Sequence, residues 1–147
     1  MKTVEEILNA KGRQVWTISP QATVIDALKL MADRNVGCLV VLENDRIVGI
    51  ISERDYARKI ALRGKSSVNT PVKDIMSTTV YHIHLQNTVD DCLQLMTQQT
   101  IRHLPVEESG KLLGLISIGD VVKAVIDEQS TTITQLSDYI SGKYIGT

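Results

Sequence analysis

The chain has 147 residues, 43% hydrophobic and 22% charged, with 16 basic against 17 acidic side chains. That apolar fraction can bury a core and excludes wholesale disorder, while the balanced charge gives no global attraction to nucleic acid. Aromatic residues make up 3%, with no Phe, which is too few for gripping single strands by base stacking.

In chain order, Thr3-Val4-Glu5-Glu6 reads as a capping box opening a short helix over Val4–Ala10 that ends near Gly12. Residues 1–14 form this leading segment, and residues 15–64 a first structural unit. There, Thr23-Val24-Ile25-Asp26 signals a second helix start, with Val24, Ala27, Leu28 and Met31 on one face. The apolar runs Cys38–Leu42 and Ile47–Ile51 flank the turn residues Asn44-Asp45, so a hairpin is expected. A helix over Tyr56–Arg63 follows. Residues 65–79 are a linker containing Pro71-Val72-Lys73-Asp74-Ile75-Met76.

Residues 80–127 then repeat residues 15–64 with a shift of 65, and roughly a third of about 45 aligned positions are identical. Thr88-Val89-Asp90-Asp91 repeats the cap, and Val89, Cys92, Leu93 and Met96 repeat the helical face. Ser109-Gly110 repeats the turn, and Val121–Asp127 the closing helix. Each unit therefore runs strand, helix, strand, strand, helix. About 45 residues are near the size at which a unit needs outside help to bury a core, so the two halves are expected to pack strand face on strand face and share one core. Residues 128–147 form a tail rich in Ser, Thr and Gly. Ile133, Leu136, Tyr139 and Ile140 give it about one more turn and a half of amphipathic helix, with fraying expected beyond Ser141.

The chemical signal is Gly-x-x-Ser-x-x-Asp, present at Gly49, Ser52 and Asp55 and again at Gly114, Ser117 and Asp120. Each copy falls where a strand gives way to a helix. Free backbone N–H groups and the positive helix end there suit a phosphate. The glycine admits a close approach to the backbone, and an Asp can accept from a ribose diol. Arg54 adds a permanent positive charge in the first copy, where the second has Gly119. Ser and Asp are also ordinary helix caps that need no ligand.

This ordered set, together with Val40–Asp55, the Pro71–Met76 pattern and Ile101-Arg102-His103-Leu104-Pro105-Val106, resembles a tandem CBS-domain pair of the stand-alone bacterial or archaeal regulatory type. The resemblance implies an α/β fold with pseudo-two-fold symmetry, small mixed sheets packed with helices, and a homodimer. It also implies two clefts that bind adenosine-containing ligands: AMP, ADP, ATP, NAD or S-adenosylmethionine. By that resemblance one cleft uses Ser52, Arg54 and Asp55, with Arg102 and His103 near the phosphates and Pro105 beside the base. The other uses Ser117 and Asp120, with Thr17, Ile18, Gly37 and Cys38 around the adenine. Without an aromatic platform, the base would rest on aliphatic walls such as Ile18 and Pro105.

No nucleophile with its base stands close in sequence, so an enzyme is not expected. Cys38 and His103 occupy equivalent repeat positions but read as a buried thiol and a phosphate-side imidazole. His82 and His84 share a strand face without a third ligand, so no metal is required. The basic cluster Lys59–Lys65 reads as a solvated helix face. No apolar stretch nears roughly 18 residues, and acids occupy the N-terminus where a signal peptide would be apolar. The expected protein is cytoplasmic, binds neither membrane nor nucleic acid, and signals to a separate effector protein. The alternative is a structural or dimerisation module with unoccupied clefts.

Overall fold

A computed structural model describes residues 1–141. The fraying expected beyond Ser141 lies outside the described residues. The chain runs through α1 (Val4–Lys11), β1 (Thr17–Ile18), α2 (Val24–Arg34), β2 (Cys38–Glu43), β3 (Arg46–Ser52), α3 (Glu53–Tyr56), α4 (Val89–Gln99), β4 (His103–Glu108), β5 (Lys111–Ser117) and α5 (Ile118–Ile140). A π-helical turn at Ala57–Ala61 extends α3, and a 3-10 turn spans Val72–Asp74. This is an α/β protein built of two similar halves.

The local signals act as the sequence indicates. Thr23 and Thr88 each accept from the amide three residues on, while Asp26 and Asp91 return a bond to the cap amide. That closes two reciprocal capping boxes. Thr3 makes only half of one, accepting from the Glu6 amide. The turn residues Asn44 and Asp45 take φ 51 and 62, and Ser109 and Gly110 take 51 and 80. Two consecutive positive φ values suit a two-residue hairpin, because their twist matches that of the strands. In both hairpins the register slips at the same place, between Val41 and Leu42 and between Val106 and Glu107.

The first sheet has the order β1-β2-β3, with β1 parallel to β2 and β2 antiparallel to β3. In the second half the counterpart of β1 shrinks to one parallel bridge, Ile83 to Val106, beside the β4–β5 hairpin. The closing helices begin earlier than expected, because Ser52 and Ser117 are the N-caps and Asp55 and Asp120 the third helical residues. The tail is not a separate short helix: α5 runs unbroken for 23 residues.

The core also departs from expectation. It is two clusters, one per half, each completed by a segment from the other end of the repeat. Val4, Ile7 and Leu8 of α1 join the cluster of α4, β4 and β5. Val72 and Ile75 of the linker join that of α2, β2 and β3. Backbone bonds fix the exchange. The Val4 amide donates to Asn87 O and the Val89 amide to Lys2 O, while the Val72 amide donates to Ala22 O and the Val24 amide to Thr70 O. Each small half thus gains the extra apolar face it lacks alone. Among the described residues, no helix is long and apolar enough to cross a membrane.

Candidate functional site

Both Gly-x-x-Ser-x-x-Asp motifs lie at a strand end that becomes a helix start. In the first, the Ser52 amide donates to Asp55 Oδ2 at 2.9 Å and the Asp55 amide donates to Ser52 Oγ at 3.2 Å. In the second, the Ser117 amide donates to Asp120 Oδ2 at 2.8 Å and the Asp120 amide to Ser117 Oγ at 3.1 Å. Capping is therefore a role these four residues perform in the fold itself. The Asp55 carboxylate is buried and further partnered: Oδ1 lies 3.2 Å from Lys59 Nζ and 3.5 Å from Ser77 Oγ.

Asp55 stands in the wall of a cavity of about 450 Å³ between the two halves. That is the size of a small-molecule site. Ser52, Arg54, Asp55, Arg102 and His103, the residues assigned to the first cleft, all line it. Gly37, assigned to the other cleft, lines this one instead, because the Glu53 amide donates to its carbonyl. Pro105 does not reach the lining. It is buried in β4 opposite Leu115, and its carbonyl accepts from the Ile83 amide.

Several lining residues went unforeseen. Arg58 and Lys59 lie three and four residues beyond Asp55, on the same helical face, and both line the cavity. The basic cluster is thus not wholly a solvated face: Lys59 also donates to the Ile75 carbonyl at 2.8 Å. Ser77 and Thr79 come from the end of the linker and Val80 and Tyr81 from the start of the second unit, which spacing alone could not aim. Tyr81 supplies an aromatic wall where mainly aliphatic ones were expected. It is the repeat counterpart of Trp16, whose ring carries Arg34 at 4.1 Å from its centroid.

The second set is arranged differently. Thr17 and Ile18 are half-buried in β1, and Cys38 is buried at the start of β2, opposite Ser52. Lys11, from the last turn of α1, places Nζ 2.6 Å from Asp120 Oδ2 and 2.9 Å from the Leu115 carbonyl. Burial alone would raise the Asp120 carboxyl. Hydrogen bonds from Lys11 and Ser117 outweigh it and hold the group below its usual range. His103 begins β4 opposite Ser117. Burial lowers its pKa, and Lys11 lowers it further.

Neither thiol is activated as a nucleophile. Burial pushes the Cys38 thiol from 9.0 up to about 12, with Lys11 opposing and Asp55 adding, and burial and Asp91 push Cys92 to about 11. Both thiols stay protonated at neutral pH. His82 is paired with Glu107 at 2.8 Å, and His84 Nδ1 lies 2.7 Å from the Glu107 carbonyl. The described residues contain no metal-holding cluster.

The thiols predict a pH dependence. A folded pKa raised above the unfolded one leaves stability intact below about pH 9, and stability falls as pH climbs from there toward 11. Urea midpoints across that range should fall, and a thiol-reactive dye should label neither cysteine until the chain unfolds. Rapid labelling of the native protein would refute the burial argument.

Comparisons with known proteins agree on one architecture. The profile of the CBS domain matches residues 4–62 and 72–127. A mitochondrial CBS domain-containing protein of Arabidopsis thaliana, CBSX3, is 40% identical over 97% of this chain and 73% of its own length. The structure of a protein with CBS domains from Burkholderia ambifaria MC40-6 is 47% identical, covers 87% of this chain and 96% of its own, and superposes with a TM-score of 0.83. The CBS domain pair of protein MJ0100, solved with 5′-methylthioadenosine and S-adenosyl-L-methionine, shares the fold at 22% identity. It covers 87% of this chain and 98% of its own, with a TM-score of 0.77.

Proposed function

The chain belongs to the CBS-domain family, and from that premise we propose that its first cleft binds an adenine nucleotide with two or more phosphates, such as ATP. A tandem CBS pair is a regulatory module, so binding rather than catalysis is the event to explain. What carries the reading is charge. Arg54, Arg58 and Arg102 line one cavity, and among the described residues none of these guanidiniums has a carboxylate partner. The one acid in the wall, Asp55, is already matched by Lys59. Unpaired guanidiniums converging on a cavity suit bidentate contact with phosphate oxygens.

The remaining surfaces fit the rest of such a ligand. Ser52 and Asp55 offer a hydroxyl and a carboxylate to a ribose. Tyr81, Val80, Ile50 and Ile101 offer apolar walls to a base. The adenosyl ligands of the MJ0100 pair belong to the same chemical class. S-adenosylmethionine itself, with its sulfonium, suits this cavity less than AMP, and AMP less than ATP. The two buried protonated thiols suit a reducing compartment such as the cytoplasm.

For the output, a second copy is the proposed neighbour. Val122, Ile126, Ile133, Leu136 and Ile140 are exposed along α5 at spacings of four, seven, three and four. That stripe matches the seam by which two helices pair. Nucleotide binding would shift the packing of the two halves, and through α5 the dimer, for a separate effector to read.

The test is thermal melting with ATP, AMP, NAD and S-adenosylmethionine. Binding to the native state alone must raise the midpoint, by about 2.7 kcal/mol of stabilisation at a hundredfold excess over Kd. The largest shift is expected with ATP and the smallest with S-adenosylmethionine. No shift with any of the four at millimolar concentration would leave the cleft a structural feature of a dimerisation module.

A further inference from the structure

The two halves are built alike but end differently at their clefts. The leading segments correspond: Val4, Ile7 and Leu8 of α1 take the places of Val72, Ile75 and Met76 of the linker. Continuing that correspondence sets Asn9 against Ser77 and Lys11 against Thr79. In the first half, the linker leaves its turn, and Ser77 pairs with Ile50 through both backbone groups. Thr79, a short side chain, then lines an open cavity. In the second half, α1 stays helical through Lys11. The Lys11 ammonium takes the carbonyl of Leu115, the counterpart of Ile50, and closes on Asp120, the counterpart of Asp55.

We infer that Lys11 is a specificity-determining residue that occupies the second cleft's ribose acceptor, so that the chain holds one nucleotide rather than two. Lys59 also pairs with Asp55, but it lies on the same helix, four residues on, and leaves the cavity open beside it. Lys11 instead joins two segments 109 residues apart, α1 and the start of α5. Its charge is felt by Cys38 and His103, the first residues of β2 and β4. The ammonium is itself solvent-exposed, and it stands at the edge of the second cleft, over the Asp120 carboxylate and the Leu115 carbonyl. A diol entering there must displace a 2.6 Å ion pair and leave the Leu115 carbonyl without its donor.

This rests on the reading of the first cleft as a nucleotide site, so the experiment separates the two. AMP is the probe, because its single phosphate needs no counterpart of Arg54. Lys11→Thr copies Thr79, and the fold survives it because α1 is held by buried Val4, Ile7 and Leu8. Calorimetric titration should count one AMP per wild-type chain and two per Lys11→Thr chain. Two per wild-type chain, or one per chain for wild type and variant alike, overturns the inference and leaves the first-cleft reading standing. None for the wild type and one for the variant keeps the Lys11 inference and overturns the first-cleft reading. None for either overturns both.

Discussion

Gly49→Ala lowers the stability of the folded protein by about 2 kcal/mol, in the middle of the range for overpacking, whereas Gly114→Ala costs less than half as much. A Cβ on Gly49 would stand 2.7 Å from the Met76 sulfur and 2.9 Å from the Ser77 carbonyl oxygen. The sulfur is the far part of a flexible side chain, but the carbonyl is not free to retreat. It accepts from the Ile50 amide at 3.0 Å, and the Ser77 amide donates back to the Ile50 carbonyl at 2.8 Å. A Cβ on Gly114 would meet the Leu8 side chain, its two methyl carbons at 2.7 and 2.9 Å and Cγ at 3.4 Å. These belong to a side chain that can turn, though within a filled core. Urea denaturation followed by circular dichroism would measure both losses. Equal losses, or no loss for Gly49→Ala, would refute the view that backbone against backbone sets the cost. The same substitution presses on Ser77, whose hydroxyl reaches Asp55, so a change in the linker contact also reaches the first cleft.

These glycines show what the sequence makes legible and what it hides. Gly49 and Gly114 could be read as places of close approach, but the group that approaches is the chain's own: the linker at Gly49 and α1 at Gly114. The repeat, the capping boxes and the hairpin turns are set by neighbours within a few residues, where spacing maps directly onto geometry. Ser52 and Asp55 are legible for the same reason, because cap and third helical residue are three apart. The crosswise docking of α1 and the linker is not legible. It depends on which apolar face lies beside which sheet edge after folding, and Val4, Ile7 and Leu8 would suit either half. Arg58 and Lys59 were within reach of sequence reasoning, one helical turn past Asp55. Tyr81 was not, because nothing local shows that this opening residue of the second unit faces a cavity walled by the first. Gly37 lines the first cleft and Pro105 does not for a similar reason: the residue just before β2 faces that cleft, while Pro105 is buried in β4, where its carbonyl accepts from the Ile83 amide.

The strongest effect on binding falls on a residue the fold does not need. Arg102 is exposed, lines the cavity and carries no ion pair among the described residues. Its backbone carbonyl, which accepts from the Ile118 amide, is untouched by a change of side chain. Arg102→Glu should therefore leave the melting temperature of the free protein nearly unchanged, as surface substitutions usually do. Against ATP the change is severe, because it removes a donor and sets a carboxylate facing phosphates. Two unit charges about 4 Å apart near a protein surface interact by about 4 kcal/mol before screening by salt. Solvent around an exposed side chain reduces that, so a loss of about 3 kcal/mol, roughly a hundredfold in Kd, is expected. Arg102→Ala, which removes the attraction without adding repulsion, should lose about tenfold. The wild-type affinity should fall more steeply with added salt than that of either variant, because more of its binding energy is charge pairing across a wet cleft. Calorimetric titration at two salt concentrations reads both quantities. Unchanged ATP affinity in Arg102→Glu would place the phosphates elsewhere. A loss of affinity accompanied by a lowered melting temperature would mean that Arg102 supports the fold rather than the ligand.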